Sequence, residues 1–181
     1  MSALTIFDEA RPQTPLLTTT DAATIQARLD EVGVRFEQWQ ASQPVVAGDA
    51  PQTVLAAYQA DIQRLVEAGG YQTVDVISIA SDHPDKVALR QKFLSEHRHS
   101  EDEVRFFVAG RGLFALHLDD KVFEVLCEQG DLLSVPANTR HWFDLGANPE
   151  LVAIRFFNNP DGWVAHYTGS AIADNFSRLA D

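Results

Sequence analysis

The sequence predicts a mainly β fold, a barrel of short strands with α-helices packed at its side. Three observations carry this. Apolar residues recur at helical spacing in the first half of the chain, they alternate with period two after residue 95, and turn-forming residues punctuate the second half at short intervals. At 181 residues the chain suits one domain. We divide 1–181 into a helix-rich flank with a few strands (1–95), a barrel core (96–160) and a C-terminal tail (161–181).

Each element has its own signal. Asp21 is an N-cap for a helix whose stripe is Ile25, Leu29 and Val32, closed by Gly33. Residues 53–68 repeat the pattern with Val54, Tyr58, Ile62 and Leu65, and end at Gly69-Gly70. Asp82-His-Pro-Asp opens a third helix carrying Val87, Arg90, Phe93 and Leu94. Strands are expected at 34–39 and 74–79, and a surface loop at 42–51, where Pro, Gly and small residues gather. Beyond residue 95, strands are expected at 104–108, 113–118, 122–127, 132–135, 141–145 and 151–157. The turns between them are Ala-Gly-Arg-Gly, Asp119-Asp120, Gln-Gly-Asp, Pro-Ala-Asn and Gly-Ala-Asn-Pro.

Composition narrows the function. A net charge of −12 disfavours nucleic acid, whose phosphates require Lys and Arg. An anionic substrate would need a local patch of positive charge on such a chain. The single cysteine, Cys127, cannot form an internal disulfide and reads as a small buried hydrophobe on a strand. No signal peptide and no apolar run long enough to span a membrane is present, so a cytoplasmic location is expected.

The chemistry gathers around His97, His99, Glu103 and His141. Side chains two apart on a strand share a face, so His97 and His99 point together, and Glu103 joins them if pairing holds through residues 100–102. Imidazole and carboxylate suit first-row divalent metals, while the lack of thiolates argues against structural zinc. Four protein ligands in an octahedral field leave two adjacent positions open, as a chelating substrate needs. A lone His-x-His is weak, since a polar loop such as Glu96-His-Arg-His-Ser-Glu carries histidines for other reasons. The wider pattern is specific: Glu103 is followed after six residues by Gly110, and Gly130 after five by Pro136, with His141 opening the next strand.

These spacings resemble the two motifs of the cupin superfamily. The resemblance implies a cupin β-barrel (double-stranded β-helix, or jelly roll) with flanking α-helices. Three positions depart from the general pattern: Asn138 stands for the glycine after the proline, Leu145 for a late asparagine and Gln91 for a glycine. The chain resembles one cupin family along almost its whole length, the bacterial acireductone dioxygenases of methionine salvage. The stretches that carry this are Met1-Ser-Ala-Leu-Thr-Ile-Phe, Gly33-Val-Arg-Phe-Glu, Asp75-Val-Ile-Ser, Glu101-Asp-Glu-Val-Arg-Phe-Phe, Ser134-Val-Pro-Ala, His141-Trp-Phe-Asp, Ala153-Ile-Arg-Phe-Phe and Gly162-Trp.

The resemblance implies that His97, His99, Glu103 and His141 bind one Fe2+ or Ni2+ per monomer. The substrates it implies are the acireductone 1,2-dihydroxy-3-keto-5-methylthiopentene and O2. Nucleic acid and membrane are not expected partners, and the chain is expected to act as a monomer. Arg105, two beyond Glu103, turns to the same face. It is either an ion-pair partner for an inward acid or, as the resemblance implies, the group that stabilises the substrate dianion. A divalent ion, one carboxylate and one guanidinium leave the site a net +2, which matches a doubly deprotonated enediol. Glu96 and Asp102 read as exposed acids, whereas the resemblance implies metal loading for Glu96 and conformational relay for Asp102. Phe93, Phe143 and Trp163 are core aromatics or, by resemblance, the wall that takes the methylthio tail. Parity does not decide which way Arg155 faces. His83, His117 and His166 lack ligand-spaced partners and read as surface or strand-face residues.

Overall fold

The computed structural model describes residues 1–180. Its strands are β1 (Ala3–Asp8), β2 (Pro15–Thr19), β3 (Arg35–Gln38), β4 (Thr73–Ile79), β5 (His97–Arg98), β6 (Glu103–Leu118), β7 (Lys121–Glu128), β8 (Asp131–Val135), β9 (Arg140–Asp144), β10 (Leu151–Phe157) and β11 (His166–Tyr167). The helices are α1 (Ala22–Asp30), α2 (Pro51–Ala57), α3 (Gln59–Gly69) and α4 (Lys86–Leu94), with a short 3₁₀ turn at Ile172–Asn175. All the described strand pairs are antiparallel. One face of the barrel runs β11-β5-β9-β6-β7-β1-β2, and the other is built from β4, β10, β6, β8 and β3. This is the cupin barrel with helices at its side. No helix among the described residues is long and apolar enough to cross a membrane.

Strand β6 joins the two faces. Sequence reading expects two strands here with a turn at 109–112, but β6 is continuous over 16 residues. Its first half pairs with β8 and β10, its second with β7 and β9. Gly110 makes the crossing possible. Its φ of +71° suits glycine, and a Cβ there would sit 1.6 Å from the Glu150 carbonyl oxygen. The turn residues therefore bend the strand between sheets without ending it.

Both faces of the inner strands are covered, which explains why they read as nearly continuous apolar runs. Val104, Phe106, Val108, Val152, Ile154 and Phe156 point outward into a cluster under α2 and α3. Phe107, Leu151 and Ala153 point inward with Phe114, Leu133 and Phe143. Glu103 and Arg105 share the inward parity of Phe107, so the same alternation that builds the core aims two charged groups into the barrel.

The first 95 residues contribute more to the barrel than helices. β1, β3 and β4 pair directly with β7, β8 and β10, and β1 and β2 lie where sequence reading placed no strand. Helix α1 starts as expected: the Asp21 carboxylate accepts the Thr24 N–H at 2.9 Å. The single helix expected at 53–68 is broken at Tyr58, whose φ/ψ of −110/21° leave the helical region. Tyr58 is buried, its ring edge-on to Phe106 at 5.7 Å, and its hydroxyl bonds the Gln43 backbone. That anchoring to the sheet and to the loop together fixes the break.

Candidate metal centre

The centre is built from three pieces of chain. His97 lies on β5, directly across from His141 on β9. The strand does not continue through residues 100–102; a loop carries His99 round, and Glu103 enters as the first residue of β6. The condition of pairing through 100–102 is thus not met, and His99 joins His97 from a loop and not from a shared strand face, because β5 has only two residues. The four side chains nevertheless converge. One nitrogen of each histidine lies within 4.8 Å of the others, and all three residues are buried. Glu103 Oε2 lies 3.1 Å from His99 Nε2 and 4.0 Å from His141 Nε2.

Each ring is oriented from behind. His97 Nδ1 donates to the Ser95 carbonyl at 2.7 Å, His99 Nδ1 to the Val164 carbonyl at 3.0 Å, and His141 Nδ1 to the Thr139 carbonyl at 2.8 Å. A carbonyl only accepts, so each Nδ1 carries a proton and Nε2 is the nitrogen turned toward the centre. Burial, reinforced by His97, pushes His141 down to about 3. Burial also holds His97 below its ordinary value, outweighing the Ser95 carbonyl. Burial opposes ionisation of Glu103, yet Arg105 and the neighbouring histidines outweigh it and hold its carboxyl well below the usual range. Burial thus favours the neutral imidazole at His97 and His141, and the surrounding positive charge favours the carboxylate at Glu103, the forms that ligation requires.

Two of these atoms, His141 Nε2 and Glu103 Oε2, are buried without any hydrogen-bond partner. Leaving such groups unpaired costs about 1–3 kcal/mol each, more for a charged one. A divalent ion would satisfy both at once, and imidazole with carboxylate suits a first-row transition metal.

Arg105 is 2% exposed. Its Nε bonds Glu103, its guanidinium stacks within 4.6 Å of the Phe143 ring centre and 4.8 Å of Phe114, and Nη1 has no partner. Both readings of this residue therefore meet in one side chain, an ion pair with one arm left over. Arg155 faces the same way, across from Arg105 in the β6–β10 register. Two adjacent guanidiniums would repel, but Asp75 on β4 grips Arg155 at 2.8 and 2.6 Å.

A cavity of about 260 Å³ reaches His97 and His99 and is lined by Ile77, Leu89, Phe93, Arg155 and Trp163 among others. Phe143 and Arg105 do not line it; Phe143 is buried behind, in edge-to-face contact with Phe93 at 6.3 Å. A larger and more open cavity of about 670 Å³, lined by Arg35, Trp39 and Arg64, holds none of the cluster. We assign the site by its chemistry and so to the smaller one. The wall is held in place by Arg90 on α4, which grips buried Asp144 on β9 at 2.7 and 2.9 Å.

The reading of Glu96 as an exposed acid needs correction, while His117 is on a strand face, that of β6. Glu96 is a buried acid, 2% exposed, and His117 is buried against it. His117 Nδ1 lies 2.5 Å from Glu96 Oε2 and its Nε2 2.6 Å from Glu9 Oε2, while Glu96 Oε1 accepts the Thr168 hydroxyl at 2.7 Å. His117 lies on β6 beside Leu116, the partner of His141, so period-two parity turns it away from the ligands, while Glu96 just precedes β5; Glu9 from the N-terminal segment and Thr168 from the C-terminal segment complete the network. No sequence spacing announces that network. Asp102 is exposed as expected and accepts the Ala137 N–H at 2.7 Å, tying the two motif loops together. His166 is exposed and His83 half-buried, again as read. Asn138, at the cupin glycine position, has a φ of +62°, a conformation that asparagine tolerates.

The barrel and its buried cluster of histidines define a cupin with a metal-binding site. The sequence matches the ARD/ARD′ family over residues 3–165. It is 60% identical over 181 residues, the full length of both chains, to a protein of Stutzerimonas stutzeri named acireductone dioxygenase. It is 58% identical over 180 residues to the protein of that name from Klebsiella pneumoniae, covering 99% of this chain and 100% of the relative. A solved acireductone dioxygenase from Bacillus anthracis, with a cadmium ion in its active centre, superposes with a TM-score of 0.80 at 33% identity, over 92% of this chain and 98% of that one. The chain belongs to the acireductone dioxygenase family.

Proposed function

We propose that this chain cleaves the acireductone 1,2-dihydroxy-3-keto-5-methylthiopentene with O2 in methionine salvage, using one Fe2+ or Ni2+ held by His97, His99, Glu103 and His141. The observation that carries this is the pair of orphaned donor atoms, His141 Nε2 and Glu103 Oε2, beside an arginine with one free arm. A metal held by these four residues would supply Lewis-acid chemistry to the bound substrate.

The chain's own residues supply the rest. Arg105 keeps its positive charge beside the site in a dry aromatic box and stabilises the dianion that reacts with oxygen. Ile77, Leu89, Phe93 and Trp163 give the methylthio tail an apolar wall, with Phe143 behind Phe93 fixing its position. Asp75 holds Arg155 rigid, so that guanidinium shapes the cavity without competing with Arg105 for the dianion. Glu96 lies outside the cavity and supports the ligand strand, which fits a part in metal loading; Asp102 couples the loops that bear His99 and His141, which fits a relay.

The metal decides the products in this reading, because neutral imidazoles and one carboxylate do not select between the two ions. Iron gives 4-methylthio-2-oxobutanoate and formate; nickel gives 3-methylthiopropanoate, formate and carbon monoxide. The test is to strip the protein, reload aliquots with each ion, supply acireductone and oxygen, and measure organic acids and headspace gas. Identical products from both forms would defeat the metal switch, and absence of oxygen uptake in both would defeat the dioxygenase assignment.

A further inference from the structure

The chain carries a net charge of −12, which repels an anionic substrate at long range. Arg105 touches the ligand Glu103, and Arg155 and Lys92 line the cavity that reaches the cluster. Arg105 is paired with Glu103 and Arg155 with Asp75. Lys92 closes α4 at the rim of the cavity that reaches His97 and His99. Among the described residues no carboxylate lies within ion-pair distance of its ammonium, which instead sits 5.6 Å from the Trp163 ring centre and 5.9 Å from that of Phe93. Those distances are at the outer edge of a cation–π contact, so the rings guide the side chain without consuming its charge. The Lys92 carbonyl accepts the Tyr167 hydroxyl at 2.8 Å, which fixes the end of the helix against β11.

We propose that Lys92 is a specificity-determining residue that draws doubly charged, oxygen-rich anions into the cavity against the charge of the whole chain. The proposal rests on the acireductone reading for the identity of that anion, and on the charge map alone for the recruitment. Buried Arg105 acts on the substrate once it is seated. Lys92, exposed at the mouth, acts on its approach and on its residence. A single charge acting on a dianion across about 8 Å of water changes affinity by about five-fold at low salt, and reversing the charge changes it by about thirty-fold.

The test uses the full-length, nickel-loaded protein and its Lys92→Met, Lys92→Glu and Lys92→Arg variants. Two quantities are measured at low and high ionic strength: kcat and kcat/KM for the acireductone, and binding of oxalate, a dianion that is not turned over, by calorimetry. The expected result is a loss of about five-fold in kcat/KM and oxalate affinity for Lys92→Met and about thirty-fold for Lys92→Glu at low salt. Both losses should shrink at high salt, where the Debye length falls to about 3 Å. Lys92→Arg should match the wild type, and kcat should be nearly constant throughout. Equal oxalate affinity and kcat/KM in Lys92→Glu and wild type, or a loss independent of salt, would overturn the proposal. Oxalate binding that depends on Lys92 in a protein that never consumes acireductone would keep it and remove the acireductone reading.

Discussion

Arg105→Met separates the two roles that the structure gives this side chain. Methionine has a similar reach and fills the space between Phe114 and Phe143, so the aromatic box survives while the charge goes. In the metal-free protein Glu103 then lies 1% exposed without its guanidinium. Breaking a buried pair from one side costs about 3–5 kcal/mol, and the melting temperature of the stripped variant should fall accordingly. Loading the metal replaces the lost positive charge, so the loaded variant should recover most of that loss. Turnover should not recover: removing a preorganised group that faces developing negative charge costs about 10²–10³-fold in kcat. Metal uptake should also need a higher pH, because without Arg105 the carboxyl of Glu103 ionises less readily. Arg105→Lys keeps the charge without the fork and should fall between the two. The assays are elemental analysis of the loaded protein, thermal melts with and without metal, and oxygen-uptake kinetics. Full metal content together with wild-type turnover would refute the substrate role and leave Arg105 a structural ion-pair residue.

His141→Ala should cut metal content after loading to a small fraction of an equivalent, since it removes an orphaned ligand atom from the centre of the cluster; a full equivalent with normal turnover would remove it from the ligand set. The metal-stripped protein should lose stability on acidification. His141 titrates at about 3 when folded and near 6.5 when unfolded, so below about pH 6.5 the unfolded chain takes up a proton that the folded one refuses. Glu103, also depressed, adds to the loss below about pH 4.5. Denaturant melts across pH 3–8 on stripped and loaded protein check this, and a flat profile in the stripped form would contradict the burial of a neutral His141. His117→Phe leaves Glu96 buried with only Thr168 for its carboxylate and should cost about 3 kcal/mol, read as a lowered denaturation midpoint; an unchanged midpoint would show that the Glu9–His117–Glu96 chain is energetically idle.

The sequence by itself determined the barrel, the ligand spacing and the direction of the charged groups. Alternation along 103–107 and 151–157 is a local property of the strand, so the inward aim of Glu103, Arg105 and Phe107 follows from parity alone. The Asp21 cap is equally local, because its bond spans three residues. The break at Tyr58, the bend of β6 at Gly110 and the strand character of β1 and β2 were not legible. Each depends on a partner far along the chain: Phe106 for Tyr58, the Glu150 carbonyl for Gly110, and β7 for β1. The same holds within the site. Spacing placed four ligands near one another, but only packing of the 158–168 segment supplies the Val164 carbonyl that orients His99 and the Thr168 hydroxyl that bonds Glu96. Local pattern decides which face a side chain takes; which group meets it there is decided by contacts between residues distant in sequence, and these exist only once the chain has folded.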